Sequence, residues 1–476
     1  MLKKVNFTNK INKMSKRFHI WTQRNLTIVG RNLVSKTFGT SNLIYSLSLS
    51  ECESSHIKNA QSGLNSFIWK QKPAKVKHST MISEQFSFKI VDIESQAKAL
   101  RMSWIYRISR NTGWGDVSQK YFNDIGGILF ILRCFYDIQY LPKMPTFYMN
   151  ILKYAKEIFS VSNCKCILWN NSLIRIGNRS IFLKDWFNKG VVYIHDLLDD
   201  KGAWLSFDQF QIKYNIRTNF LKYFGIVNSV KNAVNNHPDL QSLIKEDKPN
   251  INFLSEMFLL KNGKALNISK AKSKDFYSCF VVLKVAPPTC INRWLEKFGI
   301  SNDSILKSMS LCKKSTRDPR LLAFQFKIVH NIVNCASNLK KWGIRESEMC
   351  IYCKKNNLDI DDTLVHALIE CQVTQNWLQS VYAALNCMKF QGLSIEEFLF
   401  GTDDKAVNML CIIVKLYICE IRGQEKQFFI ETLLKRIFIC IAAEKNLLSE
   451  KYFLIKWKNH TTLVNSSCKY VSINEP

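Results

Sequence analysis

No acidic side chain occurs before Glu51, so the chain opens with fifty residues in which Lys and Arg alternate with apolar, Ser and Thr positions. Long apolar runs are missing as well. The longest lie around Ile125–Phe130, Met409–Val414 and Ile437–Ala443, and Arg133, Lys415 and Lys445 flank or break them. None reaches the roughly 18 residues needed to span a bilayer, and the start has no apolar core of a secretory signal. A membrane partner is therefore not expected. The sequence also lacks a P-loop, a Gly-x-Ser-x-Gly and a His-Glu-x2-His, which removes the commonest signatures of phosphoryl, acyl and zinc-protease chemistry. It has no fixed-period repeat and no low-complexity tract.

What is present is cationic and apolar. The 476 residues are 47% apolar and 12% aromatic, enough for two to four domains with their own cores. Lys and Arg number 67 against 38 Asp and Glu, a formal charge of +29 that favours polyanions such as nucleic acid or an anionic membrane, of which nucleic acid is the partner expected here. Residues 1–120 carry 20 Lys and Arg against 6 Asp and Glu, a local net of +14. Sixteen cysteines scattered through a chain of this size indicate a reducing compartment, the nucleus or cytoplasm. The acid-free start has the composition of a mitochondrial transit peptide too, which leaves that compartment as the minor alternative.

The periodicity is helical, giving a mainly α protein with minor β and several modules. Ile11, Met14, Phe18 and Trp21 recur at three- and four-residue spacing, as do Leu26, Val29, Leu33 and Val34. Between them stand Lys10, Lys13, Lys16, Arg17, Arg24, Arg31 and Lys36, a face that suits phosphates or is simply solvated. Short strands are expected at Phe86–Ile93 and Phe280–Val285, the second closed by Pro287-Pro288, which also marks an internal boundary. The polar stretch Asn235–Asn250, with Pro238 and Pro249, is a second candidate boundary. Ser206–Val230 reads as two short helices capped by Ser206 and Thr218, as a helical hairpin or a helix-turn-helix. Asp196–Asp208 lacks the alternating oxygen ligands of a calcium loop.

The sharpest local signal is Cys350-x2-Cys353, followed after twelve residues by His366-x4-Cys371. Three thiolates and an imidazole form the ligand set of one tetrahedral, closed and therefore structural zinc. The turn at Ile351–Tyr352 lets two thiolates converge, while Asp361, Asp362 and Thr363 favour a helix start that puts His366 and Cys371 near one face. A cysteine-rich chain also yields Cys-x2-Cys by chance. Cys164-x-Cys166 has no histidine at ligand spacing and reads as a reduced structural pair.

Several stretches, in order, resemble LINE-type (non-LTR) retrotransposon reverse transcriptases. Asn25-Leu-Thr-Ile-Val-Gly-Arg-Asn-Leu-Val-Ser-Lys36 with Ser41-Asn-Leu-Ile-Tyr45 is similar to the thumb that follows the polymerase palm. Phe67-Ile-Trp69, Lys75, Phe88–Glu94 and Lys98–Trp104 resemble the region after it, and Leu168-Trp-Asn-Asn171, Ile176-Gly177, Phe182 and Trp186 a pattern further on. Asp362-Thr363-x2-His366-x4-Cys371 with Trp377 resembles the family's zinc knuckle. Phe86 and Ser87 depart from the family, which has a glycine pair there.

The resemblance implies the C-terminal part of such a polyprotein, gripping template RNA and target DNA, with palm and endonuclease upstream of Met1. It divides the chain into a basic thumb and post-polymerase region (1–120), a helical linker (121–250), a connecting helical module (251–345), a Cys-Cys-His-Cys knuckle (346–380) and amphipathic C-terminal helices (381–476). Arg24, Arg31, Lys36, Lys75, Lys77, Arg101 and Arg107 become candidate phosphate contacts, and Trp21, Trp69 and Trp104 stack bases or fill the core. No catalysis is expected. The pairs Asp199-Asp200, Asp361-Asp362 and Asp403-Asp404 lack the preceding aromatic-Ala of the polymerase metal site. The implied partners are RNA or DNA in a ribonucleoprotein, and an intact reverse transcriptase in trans. The alternatives are a decayed element without activity and an adaptor whose helices around Met409–Ile421 and Phe428–Ala443 bind a protein.

Overall fold

Apolar positions three and four apart do form helices through most of the chain, and the computed structural model, which describes residues 2–110, 113–160, 165–385 and 388–474, is mainly α with minor β. Among the described residues the strands make only two small antiparallel hairpins, Arg175–Ile176 with Arg179–Ser180 and Met257–Leu259 with Ala265–Asn267. No helix among the described residues is long and apolar enough to cross a membrane. The chain forms two units, each assembled from three segments: 1–13, 40–61 and 92–284 in the first, 14–39, 62–91 and 285–476 in the second.

In the first unit the helices Ile93–Met102, Thr146–Ile158 and Ser273–Val282 pack on one another through Ala99, Met102, Ile151, Leu152, Ala155, Phe276 and Phe280, all buried. Trp169, Trp186 and Phe210 fill the centre, and the Trp169 indole N–H donates to the Val191 carbonyl at 2.7 Å. Buried indoles need such a partner, so Leu168–Asn171 is fixed as core. The expected cap of the helix after Tyr214 shifts by one residue. Ser206 caps Phe207–Tyr214 with a reciprocal bond to Gln209, but Asn219, not Thr218, caps Phe220–Asn236.

The second unit is built around the helix Lys405–Gly423, against which Asn302–Ser315 and Pro319–Val329 pack. Helix Ile430–Leu447 lies against Thr461–Asn474. Both expected strands are absent. Phe86–Val91 is irregular, with Ile93 opening a helix, and Phe280–Val282 closes Ser273–Val282. Phe280 and Val281 are buried on a helical face while Val282 and Leu283 are exposed, and Phe86, Phe88 and Ile90 are buried from an irregular segment, so tertiary packing overrides their weak strand preference. Phe86 and Ser87 take no left-handed conformation. The positive φ nearby falls on Lys89, at 55°.

Candidate metal centre

Cys350, Cys353, His366 and Cys371 converge in the second unit, all buried, with one donor atom from each inside 4.8 Å of the others. Cys353 Sγ lies 3.3 Å from His366 Nε2 and 3.8 Å from Cys371 Sγ. Metal–sulfur bonds of about 2.3 Å in a tetrahedron place their sulfurs roughly 3.8 Å apart, so these spacings fit a single ion held by all four. The sequence therefore brings together the residues that the spacing singled out, as a possible site for one metal.

Local structure accounts for the convergence. The Cys350 amide donates to Ile360 O at 2.8 Å, and a bridge between Met349 and Asp361 holds the segment as a narrow loop. Cys350 then starts the short helix Ile351–Lys354, which turns Cys353 inward, and Asn357 at φ 56° reverses the chain. The second ligand pair differs from expectation. His366–Glu370 is a π-helical turn, and the Cys371 amide donates to His366 O at 2.8 Å. In an α-helix, residues five apart point about 140° away from each other. The wider π turn brings them back over one another, which is how His366 and Cys371 face the same point. Thr363 Oγ1 accepts from the His366 amide and serves as the expected helix-start residue.

A residue that the sequence did not single out completes the site. Arg422, in the last turn of helix Lys405–Gly423, donates from Nη2 to Cys350 Sγ at 2.9 Å and to Asp362 Oδ1 at 2.6 Å, and from Nη1 to Cys371 Sγ at 3.4 Å and Thr374 Oγ1 at 3.2 Å. Burial works against its charge, but Asp362 and Cys371 outweigh burial and raise its pKa above the ordinary guanidinium value. The Cys350 thiol donates to Cys371, and with the Thr374 backbone N–H and Arg422 this holds Cys371 far below the usual thiol range. Asp362, expected only as a helix-start acid, also accepts from the Ala336 amide at 3.0 Å. Beside the cluster runs a stack of aromatic rings: Tyr352 on Phe428 at 5.6 Å, Phe428 on Trp377 at 5.0 Å, and Trp377 on Tyr417 at 5.3 Å. A lone Arg ending an apolar helical run was the available signal for Arg422. The fold alone links it to cysteines 72 and 51 residues away.

The seven candidate phosphate contacts separate into different environments. Arg24, Lys75 and Lys77 in the second unit and Arg107 in the first are exposed. Arg31 is buried, donating to Ile68 O at 2.7 Å and to Leu26 O, and burial lowers its pKa to about 10. Arg101 is buried over the Phe147 ring, 4.4 Å from its centroid. These two are structural and cannot reach a ligand as placed. Lys36 is half-buried, its pKa lowered by burial and then by Lys89. The Lys75 ammonium stands 3.0 Å over the Trp342 ring, and burial together with Lys327 lowers its pKa to about 8. Trp104 is core, Trp21 stacks on Phe38 at 5.7 Å, and Trp69 is half-buried. Cys166 is buried, while Cys164 lies outside the described residues.

Comparison with protein-family models gives no match, and comparison with curated proteins gives none either.

Proposed function

We propose that the protein is a non-catalytic, zinc-stabilised nucleic-acid-binding piece of a LINE-like retrotransposon polyprotein, binding template RNA or target DNA. The observation that carries this reading is the buried three-cysteine, one-histidine cluster of residues 350–371 inside a chain of charge +29. Sulfur-rich, closed, four-ligand sites suit zinc, and they contribute to folding and not to catalysis. An intact reverse transcriptase in the same particle is the proposed protein partner, and a ribonucleoprotein in nucleus or cytoplasm the proposed location. The adaptor reading has less support, because Met409–Ile421 is buried almost throughout in its own unit.

The test is metal analysis of the purified chain by mass spectrometry, followed by fluorescence anisotropy against structured RNA, duplex DNA and single strands at low and physiological salt. One zinc per chain and binding that survives physiological salt are expected. A metal-free folded chain sinks the zinc assignment, and binding that vanishes with modest salt sinks the nucleic-acid assignment.

A further inference from the structure

A cavity of about 230 Å³ opens in the second unit where four helices end. Its walls come from the last turn of Asn302–Ser315, the following Thr316-Arg317, the first residue of Lys405–Gly423, the end of Ile430–Leu447 and the helix Glu450–Trp457. Five cations line it, Lys313, Lys314, Arg317, Lys405 and Lys456, against one carboxylate, Glu444. That carboxylate is already engaged, since Lys456 Nζ and the Trp457 indole N–H both donate to its Oε2. Lys313 is engaged too, its ammonium donating to Glu84 O and Ser87 O at 3.1 Å each. Among the described residues Lys314, Arg317 and Lys405 have no hydrogen-bond or ion-pair partner.

Ordinary helix electrostatics explains part of this charge. Lys313 and Lys314 stand in the last turn of their helix, where the macrodipole favours cations. Lys405 is at the opposite end of its helix, where a cation is disfavoured, and Asp404 has to cap the Ala406 and Val407 amides beside it. Collecting uncompensated like charges round one hollow costs stability without serving the core. An anion in the hollow reverses the sign of that cost. At the rim Lys405 Nζ lies 5.6 Å from the centroid of the Tyr452 ring, which is 62% exposed and offers a flat face for a base.

We infer that this cavity is a phosphate-binding site that seats the phosphates of a single nucleic-acid strand, with Lys314, Arg317 and Lys405 as ligands and Tyr452 as the stacking platform. The occupant rests on the nucleic-acid reading above. The same chemistry accepts a free polyphosphate. None of the seven cations selected from the sequence lines the cavity, so the two sets are separable.

The experiment compares the full chain with Lys314→Gln/Arg317→Gln/Lys405→Gln and with Lys143→Gln/Lys184→Gln/Lys189→Gln. The second variant makes the same charge change at exposed positions of the first unit. The probes are a short labelled single-stranded RNA and sodium tripolyphosphate, with circular dichroism and thermal melting as checks on folding. The cavity variant is expected to bind the RNA roughly tenfold more weakly, with the salt slope reduced by roughly two, at about 0.7 for each phosphate no longer neutralised, and the control to be unchanged. Equal weakening in both variants, or in neither, overturns the site and leaves the nucleic-acid reading standing. Tripolyphosphate that stabilises the parent and control but not the cavity variant, without RNA binding by any of them, keeps the site and overturns the reading. Binding of neither probe overturns both.

Discussion

Arg422 holds Asp362 and Cys350 with a single nitrogen, Nη2, at 2.6 and 2.9 Å. The guanidinium thereby places a fixed positive charge against two sulfurs, Cys350 and Cys371, in a setting that excludes water. With a divalent ion bound, three thiolates and a neutral histidine would sum to one negative charge, which Arg422 would offset. Asp362 in turn offsets Arg422 and ties it to the Ala336 amide. Neither set of partners is optional, because a buried charge left alone costs far more than it returns.

Arg422→Met is therefore expected to weaken metal binding by about 10–100-fold, as does loss of other groups that hold metal ligands in place. Arg422→Lys should fail to rescue it, since one ammonium cannot serve two sulfurs and a carboxylate in a fixed plane. Competition with a chromophoric zinc chelator reads both values. Unchanged affinity in both variants removes the assigned role.

Cys350→Ser or His366→Ala should unfold the segment around residues 346–380, and chelation of the parent should do the same, because structural metal binding is itself folding free energy. Far-ultraviolet circular dichroism and limited proteolysis check this. Weaker RNA binding should accompany the unfolding. An unchanged spectrum with undiminished binding contradicts it.

His330 sets an acid limit. It is buried, with Nε2 2.9 Å from Phe86 O, and burial lowers its pKa from 6.5 to about 4. The unfolded chain takes up this proton below pH 6.5, while the folded chain refuses it until about pH 4. The unfolded state thus binds more protons across that window, and stability falls as pH is lowered through it, by about 3 kcal/mol at its lower end. Urea denaturation of the parent and of His330→Gln at several pH values should show a slope in the first that is reduced in the second.

The exposed and buried cations should part company under substitution. Arg24→Gln, Lys77→Gln and Arg107→Gln are expected to leave melting temperature intact and to lower the salt slope for duplex binding by about 0.9 for each phosphate no longer neutralised. Arg31→Gln and Arg101→Gln should lower the melting temperature instead, with little change in slope. Point substitutions are needed here. Deleting residues 1–120 would take segments from both units.

Gly126 tests the core of the first unit. Its φ is +88°, and a Cβ built there collides with the Phe130 ring. Gly126→Ala should cost roughly 2–4 kcal/mol, from a conformation that L residues avoid combined with an overpacked aromatic. A urea midpoint that does not move would show that Phe130 yields freely.

How much of this was legible follows from how each feature is written. Met14 and Phe18 at helical spacing, and four ligands at metal spacing, lie close together in the chain and can be read there. The mainly helical class followed from the same periodicity. Phe280–Val282 misled, because a short apolar run looks alike in a strand and on a buried helical face. His366 and Cys371 needed a π turn that spacing alone does not announce. Arg31 and Arg101 belong to cationic stretches, and only the fold shows that their side chains turn inward. Arg422, and the cations that line one cavity from opposite ends of a long segment, are invisible for a single reason: chain separation hides spatial proximity.

Ten consecutive residues, Ala406–Lys415, are buried without interruption on the helix that carries Arg422. A rod enclosed on every side has no outward face on which drift can accumulate. Among descendants of this chain under selection to fold, tolerated replacements along 406–415 should show no helical rhythm at all. Variation would instead gather beyond Arg422, from Gly423 to Lys426, where solvent begins.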